Sequence, residues 1–497
     1  MTEIQKPARV RFAPSPTGRT HLGSGRTALY NYLLARQTGG QFILRIEDTD
    51  QKRYVEGAEE ELMEGLRWLG LEWDEGPDVG GEYGPYKQTE RREFYDKYAR
   101  QLVEQGDAYY CFCTAKEDDG AQEETKGKRQ AHRDICPDRD VDLAEADQKV
   151  ASGTPHVIRF KMPYEGTTTV TDAIRGDITV ENATLDDTVL VKTDGLPVYH
   201  LAVVVDDHLM KITHAIRTSE WLPTFPLHGR LYAAFGWEEP IWIHPSIFLK
   251  PDGKGKMSKR DSETLMEAGI SLFLSDFGKF GYLPEAVVNW AALIGWSYND
   301  SEEEFSMDDL IEKFSIEKLN PAPAALNFTK LDHFNGVYIR KLEVADLAAR
   351  LKPFFEADGL VVDDEEKLHK VAEVLQIRLA KLTDAPAMGG FFFRDDIEPD
   401  PETLIGKKMD AASSLVMAKR VESLIAAAPD FSMDTLNQPL RDLAVELETK
   451  VGNIFGFLRN VLTAQQVSPP VFETMEIIGR EKVMERIARG ISLLEKM

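Results

Sequence analysis

The chain has 497 residues, 29% of them charged, and a formal net charge of −25. It is long enough for several domains, and its acidity excludes a surface that is basic throughout. Three cysteines exclude a disulfide scaffold and fit a reducing cytoplasm; no apolar run approaches membrane-spanning length, and Met1 to Val10 has no apolar signal core.

In chain order, Arg9 to Phe12 reads as a short strand. Pro14, Pro16 and Gly18 force a turn. Ser24 is placed as the cap of a helix whose apolar residues Ala28, Leu29, Tyr32 and Leu33 recur at helical spacing. Gly39-Gly40 ends it, and Gln41 to Ile46 reads as a second strand. Strand–helix–strand predicts a parallel sheet. His21 and Gly23 fall where the turn meets the helix N-terminus. Free N–H groups and the helix dipole attract phosphate there, Gly23 lets a nucleotide approach the backbone, and His21 can donate to a phosphate oxygen. The bland reading of such a histidine is an ordinary cap neighbour.

The next segment, Tyr109 to about Val198, differs in texture. It holds the acidic stretch Glu117 to Lys128, then β-rich text at His156 to Lys161 and Thr167 to Thr171. All three cysteines lie here: Cys111, Cys113 and Cys136, with His132 four residues before the last. Cys-x-Cys followed by His-x3-Cys supplies four ligands for a tetrahedral, structural zinc; three small buried thiols beside a surface histidine is the alternative. After Thr193-Asp194-Gly195 comes a nearly continuous apolar run, Val198 to Val205, which reads as a strand buried on both faces, so that the sheet resumes there after an insertion. Asp206-Asp207-His208 has metal-binding residue types but reads better as a structural anchor. Lys211 to Ile216 is another strand candidate. Glu47 and Arg217 follow strand candidates, at the end where open α/β sheets bind ligands. There an anion and a planar guanidinium can each hold an oppositely charged group, the guanidinium a carboxylate bidentately, against the alternative of a surface ion pair.

Leu249 to Arg260 is a Gly-rich loop in which Lys250, Lys254, Lys256, Lys259 and Arg260 face only Asp252. It reads as a movable clamp whose lysines neutralise a leaving pyrophosphate, against the alternative of a solvated basic turn. No P-loop and no dinucleotide fingerprint is present. From about residue 265 the pattern is almost wholly helical. Leu368, Val371, Leu375, Leu379 and Leu382 form one apolar stripe, and Leu443, Leu447, Val451, Ile454, Leu458 and Val461 another; both read as core.

His21-Leu22-Gly23-Ser24 and Lys256-Met257-Ser258-Lys259-Arg260, with Ile46 to Asp50, Gly65 to Leu71, Tyr199 to His208 and Ile216-Arg217, make the chain resemble the bacterial glutamyl-tRNA synthetases, class I enzymes with HIGH-like and KMSKS-like motifs. Ser24 stands where the generic motif has a second histidine, and Arg260 where it has a final serine. The resemblance implies a Rossmann-like α/β catalytic domain (1–95 and 199–249) interrupted by an α+β acceptor-end insertion (96–198). A stem-contact domain with the KMSKS-like loop (250–335) and an all-α anticodon region (336–497) follow. It implies ligation of L-glutamate to tRNA(Glu) through glutamyl-adenylate, with ATP and Mg²⁺, bound tRNA needed for activation, and zinc in some members.

Site residues follow from the same resemblance. His21, Lys256 and Lys259 are catalytic. Ala13, Pro14, His21, Gly23, Ser24, Glu220, Leu249, Lys256, Met257, Ser258, Lys259 and Arg260 bind ATP. Arg11, Ser15, Glu47, Tyr199 and Arg217 bind glutamate. Arg378, Arg459, Ser468, Val471 and Phe472 meet the anticodon, and Cys111, Cys113, His132 and Cys136 the zinc. A cytoplasmic monomer is expected, with RNA-facing cations concentrated locally on an acidic surface. The rivals are a glutaminyl enzyme with a β-barrel anticodon region, a shorter paralogue that modifies a tRNA base, and a catalytically silent tRNA-binding protein.

Overall fold

A computed structural model describes residues 6–113, 131–257, 261, 265–266 and 270–497. The acidic stretch 117–128 and three residues of the basic loop, Ser258, Lys259 and Arg260, lie outside the described residues. Two compact units emerge: Met1–Phe277 with Val287–Phe328, and Gly278–Ala286 with Thr329–Met497.

The first unit is built on the opening strand–helix–strand. β1 (Arg9–Phe12) pairs in parallel with β2 (Gln41–Leu44), Val10 opposite Phe42 and Phe12 opposite Leu44. Between them runs α1 (Leu22–Thr38), whose Leu22, Ala28, Leu29, Tyr30, Leu33 and Leu34 are buried. The two glycines that end α1 do different jobs. Gly39 takes a left-handed φ of 66°, and its N–H caps the carbonyls of Ala35 and Arg36. A Cβ on Gly40 would lie 2.0 Å from the Ala8 carbonyl oxygen, so Gly40 lets α1 return tightly to the sheet.

Next come α2 (Ala58–Trp68), α3 (Arg92–Gln105), β3 (Ala108–Cys111), α4 (Leu143–Ala151), β4 (Val157–Phe160), β5 (Thr167–Asp172), β6 (Gly176–Glu181) and β7 (Val189–Val191). β3, β4 and β7 form a small antiparallel sheet. β5 and β6 instead extend the main sheet, so the chain re-enters it within the segment read as an insertion. α5 (Tyr199–Leu209) occupies the run that the sequence reading assigned to a strand. A continuous apolar run fits a fully buried helix as well as a buried strand, and Leu201 through Asp207 are all buried in α5. β8 (His214–Ile216), α6 (Phe225–Phe235) and β9 (Ile241–Ile243) complete the layer. The six strands are ordered β2-β1-β8-β9-β5-β6; neighbours from β2 to β5 are parallel and β6 is the antiparallel edge. The carboxyl ends of the parallel strands therefore share one rim, where such sheets bind ligands. The short β10 (Phe248–Leu249) pairs with Ala324–Ala325, in a region read as helical.

The second unit is helical. α7 (Val344–Ala357) and α8 (Glu365–Gln376) enclose one core with Leu368, Val371, Leu375, Leu379 and Leu382. α9 (Ala411–Ala427), α10 (Met433–Glu446), α11 (Val451–Thr463), α12 (Val471–Ile478) and α13 (Arg480–Leu494) enclose another. Both stripes are core, but neither is one helix. α8 stops at Gln376, and the second stripe passes from α10 to α11 through Glu448, at φ 49°. Apolar spacing of three and four persisted across each break and concealed it. Among the described residues no helix is long and apolar enough to cross a membrane.

Candidate active site

A cleft of about 1060 Å³ opens along the shared rim. Chain leaving β1 supplies Ala13, Pro14 and Ser15, and chain leaving β2 supplies Glu47. Chain leaving β8 supplies Arg217, followed by Glu220 and Trp221. The start of α1 supplies His21, Gly23 and Ser24, the start of α5 supplies Tyr199, and Lys256 and Met257 close one side. Arg11 also lines it; Leu249 does not.

One end of the cleft is set by α1. Its cap is His21, not Ser24: His21 Nδ1 accepts from the Gly23 N–H at 3.1 Å. An imidazole nitrogen serves here as the acceptor that a serine oxygen was expected to be. With Nδ1 accepting, the neutral ring carries its proton on Nε2. A Cβ on Gly23 would meet His21 Nδ1 at 3.4 Å and Phe248 at 3.8 Å. The basic loop folds back on β10: Met257 N–H donates to the Phe248 carbonyl at 3.0 Å and Lys250 N–H to the Gly255 carbonyl at 3.1 Å, with Gly253 and Gly255 at left-handed φ of 73° and 82°. The Lys256 ammonium pairs with the Glu220 carboxylate, and both side chains line the cleft.

Around Glu47 and Arg11, charged side chains form a buried network. Arg45, fully buried, donates to Asp207 at 2.8 Å and to Glu47 at 3.1 Å. Asp207 also accepts from Arg11 Nε at 2.9 Å. Asp206 accepts from Arg91 Nε at 2.7 Å, Gln88 at 2.9 Å and Tyr95 at 2.9 Å. Asp206 and Asp207 sit in α5 rather than at a strand end, and both are committed to arginines. His208 stacks on Trp237 with ring centroids 3.7 Å apart, so this triplet is a structural anchor and not a cation site. Burial pushes the Glu47 carboxyl up to about 7, although Arg45 and Arg11 pull it down.

Arg217 is 5% exposed. Its Nε donates to His244 Nε2 at 2.9 Å and its Nη1 to Tyr199 Oη at 3.3 Å, while Nη2 is buried without a hydrogen-bond partner. Tyr199 in turn stacks on Trp221, centroids 4.1 Å apart. An orphaned guanidinium N–H in a cleft is costly unless an anion fills it. Burial lowers the Arg217 pKa, which strengthens the demand for a carboxylate. Glu47 and Arg217 thus offer one anion and one partly unpaired cation to the same space, as a zwitterionic amino acid with a carboxylate side chain requires.

Sequence reasoning missed Arg45, Trp221, Asp172 and His244. Arg45 had a signal, a charge inside the apolar run that leads to Glu47. The other three carry none that local spacing reveals.

The four zinc candidates converge. Cys111 ends β3, and Cys113, His132 and Cys136 come from the flanking chain; their ligand atoms all lie within 4.8 Å of one another. Cys113 and Cys136 sulfurs are 3.6 Å apart, Cys136 and Cys111 3.6 Å, and Cys111 Sγ lies 3.4 Å from His132 Nε2. Sulfurs about 2.3 Å from a tetrahedral ion stand ~3.8 Å apart, so the donor set fits zinc with little adjustment. The Cys111 thiol is held down by hydrogen bonds from Cys136 and His132 against its burial, as a thiolate ligand requires.

Of the residues matched to anticodon contacts, Arg378 lies in the turn after α8, half-buried, with Nη1 on the Val374 carbonyl at 3.0 Å. It is not within a helix, because α8 ends two residues earlier. Arg459 is half-buried on α11, and Ser468 Oγ donates to the Pro469 carbonyl at 2.9 Å. Val471 is buried, and Phe472 packs on the core with its ring edge-on to Phe455.

Residues 7–333 match the family model for tRNA synthetases class I (E and Q), catalytic domain, and residues 346–491 match an anticodon binding domain. The chain is 45% identical to a glutamate–tRNA ligase of Dehalococcoides mccartyi over 98% of both chains, and 44% identical to that of Chloroflexus aurantiacus over 100% of both. A crystal structure of a glutamate tRNA ligase from Elizabethkingia meningosepticum, in complex with its amino acid, superposes with a TM-score of 0.90 at 38% identity, covering 98% of this chain and 99% of that one.

Proposed function

The chain belongs to the class I tRNA synthetases for glutamate and glutamine, and from that membership we propose the reaction its cleft performs: ATP-dependent joining of L-glutamate to the 3′ end of tRNA(Glu). The observation that carries the choice of amino acid is the pair Glu47 and Arg217. One is a carboxylate for the α-ammonium, the other a guanidinium whose buried Nη2 has no protein partner. A neutral glutamine amide would leave that cation uncompensated. Among the described residues of 336–497 no strand occurs, in line with the helical anticodon region of a glutamyl enzyme rather than a barrel.

In this reading the glutamate α-carboxylate attacks the α-phosphorus of ATP, which enters as its Mg²⁺ complex. Pyrophosphate leaves and glutamyl-adenylate remains. The 2′-hydroxyl of the terminal adenosine then attacks the acyl carbon, and AMP departs. His21 Nε2–H and the α1 N-terminus meet the phosphates, and Lys256 and Lys259 meet the charge that grows on the leaving pyrophosphate. Ala13, Pro14, Gly23, Ser24 and Met257 border the nucleotide, with Glu220 holding Lys256 in reserve; Ser258 and Arg260 are assigned to the nucleotide as residues of the KMSKS-like motif, and Leu249 stands outside the cleft lining. Arg11, Ser15 and Tyr199 complete the glutamate site. Positioning supplies the rest of the rate. Bound tRNA is required for activation.

Domain boundaries follow the same reading: 1–95 and 199–249 catalytic, 96–198 acceptor end, 250–335 stem contact, 336–497 anticodon. Arg378 reads the third anticodon base, with Arg459, Ser468, Val471 and Phe472 near it. Zinc on Cys111, Cys113, His132 and Cys136 is structural, since four protein ligands leave no open position. The protein acts as a cytoplasmic monomer.

The deciding experiment is ATP–pyrophosphate exchange with glutamate and glutamine, each over separate tRNA(Glu) and tRNA(Gln). Exchange that requires glutamate and tRNA supports the reading. Exchange with glutamine alone makes it a glutaminyl enzyme, and none at all makes it a silent tRNA binder.

A further inference from the structure

Three adjacent parallel strands end in a buried polar relay. Asp172 is the last residue of β5, Arg217 directly follows β8, and His244 directly follows β9. In the sheet order β8-β9-β5, the three side chains meet on one rim. His244 Nδ1 lies 2.7 Å from Asp172 Oδ2, and both side chains are 0% exposed. The other ring nitrogen, Nε2, lies 2.9 Å from Arg217 Nε. The remaining Asp172 oxygen, Oδ1, accepts from the Ile174 N–H at 3.0 Å.

Hydrogen-bond chemistry fixes the protons. Arginine Nε is always a donor, so His244 Nε2 must accept; the ring proton then sits on Nδ1 and is given to Asp172. The doubly protonated ring is excluded, because Nε2–H would point at Arg217 Nε–H. The surroundings agree. The charged or titratable groups that face this ring are Asp172 from β5, Arg217 from β8, Arg175, whose Nε donates to the His244 carbonyl at 3.0 Å, and His228 from α6. Phe225 and Trp242 cover it with aromatic rings. Burial, with Arg217, pushes the His244 pKa down to about 4 despite Asp172, so the ring is neutral near pH 7.

We propose that Asp172 and His244 are positioning residues for glutamate specificity: by holding the imidazole as its Nδ1–H tautomer they fix the Arg217 guanidinium by Nε, and so present Nη2 to the substrate's side-chain carboxylate. The inference rests on the glutamate-activating reading given above. It differs from ordinary core packing in a direct way. The carboxylate acts on the substrate through one proton's location, two residues removed from the cleft.

The relay makes opposite demands on two substitutions of the same histidine. In His244→Gln an amide oxygen can stand near the place of Nε2 and still accept from Arg217. In His244→Asn the amide reaches only the place of Nδ1, keeping the link to Asp172 and losing Arg217. Asp172→Asn tests the proton itself. Its single oxygen stays with the Ile174 N–H, its NH₂ turns to His244 Nδ1, and the ring must move its proton to Nε2, against Arg217 Nε–H.

The measurement is tRNA-dependent exchange at varied glutamate and varied ATP, with melting temperatures for each variant. His244→Asn and Asp172→Asn should raise the glutamate KM at least tenfold with the ATP KM unchanged, and His244→Gln should recover most of that loss. An unchanged glutamate KM in folded His244→Asn overturns the proposal. So does equal impairment of the Gln and Asn variants, or a matching rise in ATP KM. Should a variant not fold, ¹⁵N spectra of the histidine-labelled wild-type protein decide: an unprotonated Nε2 on His244 is required, and a protonated one overturns the relay. Wild-type protein without glutamate-dependent exchange would instead refute the functional reading and leave the tautomer result standing.

Discussion

Arg217 and Glu47 are each poised against their own burial, and in the proposed reaction the substrate relieves that tension. Arg217→Gln should reduce kcat/KM for glutamate by on the order of 2–4 kcal/mol, the cost of removing a buried charged partner. Exchange kinetics check it, and unchanged glutamate kinetics would move the carboxylate partner elsewhere. Glu47, pushed up to about 7 by burial, is largely neutral in the free protein below that pH. Binding an ammonium favours its charged form, so the glutamate KM should rise as pH falls through about 7. Glu47→Gln should bind glutamate poorly with that pH dependence removed; a wild-type KM that is flat from pH 8 to 6 would separate Glu47 from the ammonium. Both residues were legible because each lies just past a strand whose pattern is local, Arg217 directly after β8 and Glu47 three residues after β2. Asp172 and His244 were not. They stand 72 positions apart, and nothing in the chain between them signals that β5 and β9 end side by side.

Between residue and fold, the elements carry their own signatures. Gly39 and Gly40 look equivalent in sequence but serve different constraints. Gly40→Ala forces a Cβ onto the Ala8 carbonyl and should cost about 3 kcal/mol or more, at the upper end of overpacking. Gly39→Ala, at φ 66° with open space around it, should cost about 1–2 kcal/mol. Denaturant unfolding ranks the two, and the reverse order would contradict the return of α1 onto the sheet. The Cys–His cluster predicts about one zinc per chain in protein purified without chelator, lost together with thermal stability in Cys113→Ser. Metal analysis far below stoichiometry with an unaltered melting curve would leave three ordinary thiols. The element that misled was α5. Its apolar run gave burial correctly and shape wrongly, because a helix buried all round has no polar face to mark its period.

For the whole molecule, buried histidines set the acid limit. His200, His214 and His244 are each held down to about 4 by burial, and burial lowers His228 well below its ordinary value. Between about 6.5 and 4 the unfolded chain binds these protons and the native chain does not, so stability is full above 6.5 and is lost as pH falls towards 4. Glu47 acts in the opposite sense between 4.5 and about 7, but it is one group against four. The melting temperature should therefore drop on acidification from pH 7 to 5; a rise would show the histidines charged in the native state. A second whole-molecule consequence follows from the charge of −25. Local cations must carry RNA binding, so tRNA affinity should fall steeply with salt, and a flat salt response would argue for a contact surface without phosphate pairing. The sequence by itself determined the strand–helix–strand start, the helical second half, the four clustered zinc-type ligands and the family to which two distant motifs belong, because each is written in local spacing or in residue types with narrow chemical uses. Only the tertiary structure decided that His21 caps α1, that Val198 to Val205 is a helix, that Asp206 and Asp207 belong to arginines, and that Asp172 reaches Arg217 through His244. Those depend on which strand ends become neighbours, and that is settled by packing the whole sheet rather than by any one segment of it.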